Sequence, residues 1–205
     1  MHQTRQETTV RLPIPRKGTK YVARAASHRS NSVPVVVAVR DMLNLARTAE
    51  EVKHMIKSKL LKINGKQVKE YRESIKLFNL LEAGKTYELT LLPTNKFNFQ
   101  EVKSGNVRLC KIVNKSLVKS GLVQINLHDG SNVITKDKVS VGDSLHLDMS
   151  GKIKKHLPLE KGSEVFIISG KYAGTKGKIK SIDEKLTISF KDKEAVLEKN
   201  SIIVI

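Results

Sequence analysis

The sequence predicts an α+β chain that is mostly β: a basic N-terminal arm, two short helices, a central β domain and a small C-terminal β barrel. Three observations predict it. Apolar residues recur at helical spacing in one stretch only, about residues 33–60, whereas residues 81–160 read as strands broken by turn signals. The C-terminal part holds a long-looped hairpin, Ser163 to Ile182, whose loop is punctuated by glycine and lysine. The charge is lopsided, with 38 Lys and Arg against 20 Asp and Glu and a formal net charge of +18. That excess goes beyond what solubility needs and predicts a polyanionic partner, RNA first and an acidic membrane surface second.

Composition narrows the classes further. At 205 residues the chain suits several small modules, and with no Trp and 4% aromatic residues any core rests on Val, Ile and Leu. No run of about 18 apolar residues is present to span a membrane, and the N-terminus lacks the apolar core of a secretory signal, so a cytoplasmic location is expected. Cys110 is the only cysteine, which excludes internal disulfides and zinc ribbons and leaves an inert strand residue. The six histidines are scattered, with no HExxH and no nucleophile elbow, so no catalytic residue, metal site or cofactor is expected. His128-Asp129 precedes Gly130 and reads as turn chemistry. His146 and Asp148 share a strand face and are expected to meet solvent or RNA.

In chain order, residues 1–32 form the arm. Over the first 34 positions Arg5, Arg11, Arg16, Lys17, Lys20, Arg24 and Arg29 stand against one acid, Glu7, with three prolines and little periodicity. Such a segment buries too little apolar area to order itself and is expected to fold only against a partner that neutralises it. Arginines interleaved with Pro13, Pro15 and Tyr21 make a strip able to lie along phosphates and stack on bases. The bland alternative is a solvated tail.

Residues 33–80 form the helical module. Ser32 is placed to cap a helix with Pro34 in its first turn, and Val35, Val36, Val39, Met42, Leu43 and Ala46 follow at helical spacing. Thr48 with Glu51 three residues later is a capping-box pair opening a second helix with the stripe Ala49, Val52, Ile56 and Leu60. Lys53 and Lys57 lie one turn apart beside that stripe, which is also where a solvated helix face would put them. Leu61-Lys62-Ile63, Asn64-Gly65 and Lys66-Gln67-Val68 then read as a tight hairpin.

The central β domain, 81–160, carries turn signals at Lys103-Ser104-Gly105, Ser120-Gly121, His128-Asp129-Gly130 and Gly142-Asp143. LEAGKTYEL (81–89), VSVGDSLHL (139–147) and LEKGSEVFI (159–167) each place a glycine turn before an alternating strand. They read as the starts of successive small β units, closed as a sandwich or partly open barrel. In 161–205 the strands VFIIS, KIKSI, LTISF and SIIVI suffice for an SH3-like barrel. Gly170, Gly174 and Gly177 in its hairpin can take positive φ and let the loop backbone approach another molecule and present its N–H groups. Lys171, Lys176 and Lys178 add charge there. Glycine and lysine also make soluble hairpin tips with no ligand at all. The glycines do not form a nucleotide-binding loop, because Gly170 has no glycine five residues on and Gly177-Lys178 is followed by Ile179.

Three resemblances follow from these residues. Two short helices and a strand ending in Ile63-Asn64-Gly65 resemble the αL, or S-four-type, RNA-binding module. That family implies RNA contacts by Arg40, Lys53, Lys57, Lys62, Lys66 and Arg72. VFIISGKYAGTKGKI resembles the KOW motif in its Gly-x-x-x-Gly-x-x-Gly-Lys spacing, and KOW loops touch RNA or protein. Together with LCKIVNKSLVKSGLVQINLHDGSNV, from residue 109, the order of modules from about residue 33 to the C-terminus resembles the small-subunit ribosomal protein S-four-e family of archaea and eukaryotes. This implies structural binding of small-subunit ribosomal RNA beside neighbouring ribosomal proteins, with no catalysis and no small-molecule substrate. Family members typically begin with a lysine-rich, tryptophan-containing segment, which this chain lacks, so contacts made there do not carry over.

The expected function is therefore that of a ribosomal constituent binding RNA through Arg11, Arg16, Lys17, Lys20, Arg24 and Arg29 of the arm, the helical module, and the hairpin loop. The alternative is a KOW-bearing transcription or translation factor that binds RNA and a protein partner transiently. An RNA-modifying enzyme is disfavoured because no stretch remains for a catalytic domain.

Overall fold

Short antiparallel strands joined by tight turns carry most of the chain, as the alternating β-branched residues dictate. The structure, a computed structural model, describes residues 3–102, 107–118, 121–183, 185–190 and 193–205. The turn expected at Lys103-Ser104-Gly105, and Ser120 of the next, lie outside the described residues. Two units result, Met1–Gly105 and Asn106–Ile205.

In the first unit β1 (Gln3–Thr4) pairs with β2 (Tyr21–Val22), and β3 (Ser32–Pro34) leads into a short helix α1 (Val35–Val37) continued by a π-turn (Ala38–Met42). Helix α2 (Ala49–Lys57) follows, then β4 (Leu61–Ile63), β5 (Lys66–Gln67), β6 (Ser74–Lys76), β7 (Leu80–Ala83), β8 (Lys85–Leu91) and β9 (Phe97–Glu101). β3 pairs with β6, and one antiparallel sheet runs β5-β4-β7-β8-β9. The Asn64-Gly65 turn has φ of 51° and 77°, the mirror-image turn that this dipeptide favours. Asn64 Oδ1 also accepts from Leu80 N at 2.9 Å, tying the hairpin to β7.

Three expectations are corrected in this unit. The division expected at residue 80/81 falls inside β7, because Gly84 (φ 76°) turns β7 back as β8 and so adds strands to the sheet begun by the Asn-Gly hairpin. Ser32 caps no helix. It sits in β3, donating to the carbonyls of Ser27 and His28 at 2.9 Å each, and Pro34, extended at ψ 143°, precedes the first helical residue. The segment 1–32 is not an arm without intramolecular partners. Phe97 N donates to Arg11 O and Ala26 N to Arg72 O, both at 2.8 Å, while Leu12 and Ala25 are buried. Arg5 closes the segment on itself, its Nε donating to Thr19 O at 2.8 Å and its Nη2 to Thr19 Oγ1 at 3.0 Å. These bonds join residues far apart in sequence, so no local pattern announces them.

The second unit holds β10 (Val107–Leu117), β11 (Val123–Leu127), β12 (Asn132–Thr135), β13 (Ser144–Asp148) and β14 (Ile153–Leu157), in the order β12-β11-β10-β13-β14. After them come β15 (Glu164–Ile167), β16 (Lys176–Ile182), β17 (Leu186–Ser189), β18 (Glu194–Leu197) and β19 (Ile202–Val204), in the order β18-β17-β16-β15-β19. Each sheet carries its own apolar cluster, Cys110, Ile112, Ile125, Leu145 and Leu147 in the first and Val165, Ile167, Ile179, Leu186 and Ile188 in the second. Burial, then the nearby Asp129 charge, pushes the Cys110 thiol well up, which keeps it protonated and inert. Lys111 bridges the clusters' surroundings, donating through Nζ to Lys199 O at 2.6 Å and Ile202 O at 2.8 Å. Burial pushes its ammonium down to about 8, so at neutral pH it is still mostly charged and those carbonyls compensate it.

Gly177 has a packing role that the sequence did not announce. It lies within β16 opposite Val165, and an added Cβ would meet Ile188 Cγ2 at 2.5 Å and Ser189 O at 3.1 Å. Its own neighbouring strand therefore leaves no room for a side chain here. Gly177→Ala is expected to cost about 1–3 kcal/mol through overpacking, read as a lower urea midpoint with an unchanged slope. An unchanged midpoint would show that β17 shifts freely.

Candidate nucleic-acid interface

The strand β16 sets the geometry of the C-terminal basic surface. Side chains alternate along it, so Gly177 and Ile179 face inward while Lys176, Lys178 and Lys180 share the exposed face. Lys178 stands opposite Glu164, 3.9 Å away, and Lys180 is paired with Glu194 at 2.5 Å. Among the described residues Lys171 and Lys176 form no ion pair. Lys171 reaches over the Tyr172 ring at 6.0 Å, and that ring stacks on Phe190 at 5.1 Å, anchoring the loop to the sheet.

The loop backbone is less available than its glycines suggest. Gly174 (φ 81°) donates its N–H inward to Ile167 O at 2.8 Å, and the N–H groups of Ala173 and Thr175 bond within the turn to Gly170 O and Tyr172 O. Only Gly170 (φ 89°) is both exposed and open around its Cα. The amides of Ala173, Gly174 and Thr175 are therefore taken up within the protein, and the charge of the loop lies in its ammonium groups.

The helical module presents its cations in two classes. Thr48 caps α2, accepting from Glu51 N at 3.2 Å, while Glu51 reaches back to Arg47 N at 2.7 Å, one residue before the reciprocal partner that the capping box predicts. That start places Glu50 beside Lys53, 2.6 Å apart, and the hydrogen bond raises the Lys53 ammonium above its ordinary pKa. Arg40 is bidentate to Asp41 at 2.8 Å, Arg72 pairs with Glu70 at 2.6 Å, and Lys62 lies 3.7 Å from Glu82. Lys57 and Lys66 are exposed and, among the described residues, form no ion pair. A cation already matched to a carboxylate is oriented but adds little net field, so the long-range attraction falls to the others.

The N-terminal cations divide similarly. Arg16, Lys17, Lys20 and Arg29 are exposed, Arg24 is half-buried, and Arg11 donates to Asn31 Oδ1 at 2.8 Å with its guanidinium pKa lowered by burial. Lys20 lies over the Tyr21 ring at 5.4 Å. Tyr71 is a residue that the sequence alone did not single out: Lys53 and Arg72 approach its ring at 5.3 and 5.8 Å. The available signal was an aromatic residue flanked by Glu70 and Arg72 just after the hairpin. Elsewhere, His146 and Asp148 are half-buried, burial and then Lys155 lower the His146 pKa, and Asp148 lies 3.6 Å from Lys154. No cluster of ligands suited to a metal occurs among the described residues, and no helix among them is long and apolar enough to cross a membrane.

The chain is similar to known proteins over most of its length. A family model described as Ribosomal family S4e matches residues 83–153, and a KOW motif model matches residues 161–193. "Small ribosomal subunit protein eS4" of Archaeoglobus fulgidus is 33% identical over 187 residues, covering 88% of this chain and 80% of that protein. The protein of the same name in Methanocaldococcus jannaschii is 32% identical over 90% of this chain and 82% of its own length. The crystal structure of the 30S ribosomal protein S4e from Thermoplasma acidophilum superposes with a TM-score of 0.74 at 23% identity, covering 85% of this chain and 95% of that one. That likeness shows the mostly β fold.

Proposed function

The chain belongs to ribosomal family S4e, and from that premise we propose that it is a structural constituent of the small ribosomal subunit, acting on the cytoplasmic ribosome by binding ribosomal RNA beside neighbouring ribosomal proteins. The observation that carries the reading is the agreement of the archaeal relatives, named as small-subunit proteins, with a net charge of +18 spread over both units. The family is a structural one, and a polycation suits it.

Within that role α1, α2 and the Asn64-Gly65 hairpin act as an αL module, and residues 161–205 as an SH3-like barrel bearing the KOW hairpin. Phosphates are met first by the cations that form no ion pair among the described residues: Arg16, Lys17, Lys20, Arg29, Lys57, Lys66, Lys171 and Lys176. Arg11 and Arg24, held in the folded N-terminal segment, join them at its surface. Arg40, Lys53, Lys62, Arg72 and Lys178 are held in place by acids and position RNA at shorter range, where a phosphate shares or replaces the carboxylate. Backbone approach is confined to Gly170. Affinity comes mainly from charge and specificity from RNA shape and splayed bases.

Gradient sedimentation of a cell extract at low and then high salt, followed by mass spectrometry, tests the proposal. The chain is expected in the small-subunit peak after the high-salt wash. Release by the wash, or travel with a polymerase, would favour the transient KOW-bearing factor instead.

A further inference from the structure

Resting on the RNA-binding reading, we propose that a cleft in the first unit receives one unstacked RNA base, packed against Tyr71 and Tyr21 with its backbone running over Arg40 and Arg47. The cleft forms where the folded N-terminal segment covers the helices. Ile14, Pro15, Lys17, Thr19 and Tyr21 line one side and Val36, Arg40, Ala49 and Tyr71 the other, around about 260 Å³. That volume falls below the range of about 300–1,000 Å³ that takes drug-sized ligands, which suits a single planar ring. Beside it opens a broader trough of about 640 Å³, lined by Arg40, Asn44 and Arg47 and sharing Thr19, Arg40 and Asp41 with the cleft.

Three features favour a base over another apolar ring. The lining sets the rings of Tyr71 and Tyr21 beside the cations Lys17 and Arg40, the combination that single-stranded RNA sites use. Arg40 is fixed at the rim by its bidentate bond to Asp41, so it meets a phosphate without prior ordering. The wall supplied by the N-terminal segment is braced by Arg5 on Thr19, so the cleft is formed before RNA arrives.

The test uses the full chain with ring-labelled tyrosine, titrated with a short oligocytidylate and with an abasic phosphodiester chain of the same length. The Tyr71 and Tyr21 ring signals are expected to move upfield with the oligocytidylate and to stay in place with the abasic chain. Tyr71→Leu should weaken the oligocytidylate about ten- to hundred-fold while Tyr71→Phe retains it. Tyr21→Leu, at a half-exposed position, gives the same reading if Tyr71→Leu unfolds the unit. Equal binding of both chains, with unmoved ring signals, would overturn the base cleft and leave phosphate binding intact. Failure of both to bind at low salt would overturn the RNA-binding reading itself.

Discussion

Asp129→Asn is expected to destabilise the second unit by about 3–5 kcal/mol, because it leaves the Arg108 guanidinium buried and without its counter-charge. The Arg108 side chain is 9% exposed and that of Asp129 2%. Asp129 accepts from Arg108 Nη1, from Ser131 N at 2.9 Å and from Ser131 Oγ at 2.6 Å, which joins the β11–β12 turn to β10. Arg108 also donates through Nη2 to Ser131 Oγ at 3.2 Å, and its Nε has no hydrogen-bond partner among the described residues; a hydroxyl carries no charge to replace the carboxylate. Arg108→Met combined with Asp129→Leu should cost less than Asp129→Asn alone, since no charge is stranded. Acid should act in the same direction. Burial works to raise the Asp129 pKa, but the Ser131 bonds and the Arg108 charge outweigh it and hold the carboxyl below its ordinary value. Its contribution is therefore present above the unfolded value of about 3.9 and is lost as pH falls through the lower folded value. Hydrogen exchange over residues 107–118 and 123–135 reads both effects. Unchanged protection there in Asp129→Asn would show that the pair contributes nothing.

That pair marks the limit of what could be read from residues alone. His128-Asp129-Gly130 was legible as a turn and is one, but its aspartate is a buried anion, and only the pairing of β10 with β11 brings Arg108 to it. Where a feature is decided within a few residues, the sequence was sufficient. Asn64-Gly65 dictates its turn, Thr48 its cap, and the glycines at 84, 142 and 162, all at positive φ, the turns before strands β8, β13 and β15. Where a partner lies far along the chain, the same residues misled. Ser32 and Pro34 have the chemistry of a helix start, yet antiparallel pairing opposite Lys76 and Ser74 claims them for a strand. The N-terminal segment has the composition of a free arm, yet Phe97 and Arg72 hold its backbone. Of the basic surface, residue type and exposure were legible, and the division of its cations by acids at Asp41, Glu70, Glu82 and Glu164 was not, although Glu50 three residues before Lys53 was in plain view.

That division makes the unpaired and the paired lysines of the basic hairpin testable separately. Lys171→Gln with Lys176→Gln is expected to flatten the dependence of log K on log salt for small-subunit ribosomal RNA by about 1.4–1.8, at about 0.7–0.9 for each phosphate no longer neutralised. Affinity at moderate salt should fall with it, and the fold should be untouched because both side chains are exposed. Lys178→Gln should change the slope by only a fraction of what one phosphate contributes, since Glu164 stands opposite and already offsets that charge. Adding Glu164→Gln to the native chain should release Lys178 and steepen the slope. The sign of this last change separates the readings. A phosphate-binding hairpin gains from losing an acid, whereas a hairpin that docks a protein through its exposed face has no reason to. Equal slopes in all four chains would place the RNA elsewhere and leave Lys171 and Lys176 as solubilising charges on a protein-facing loop.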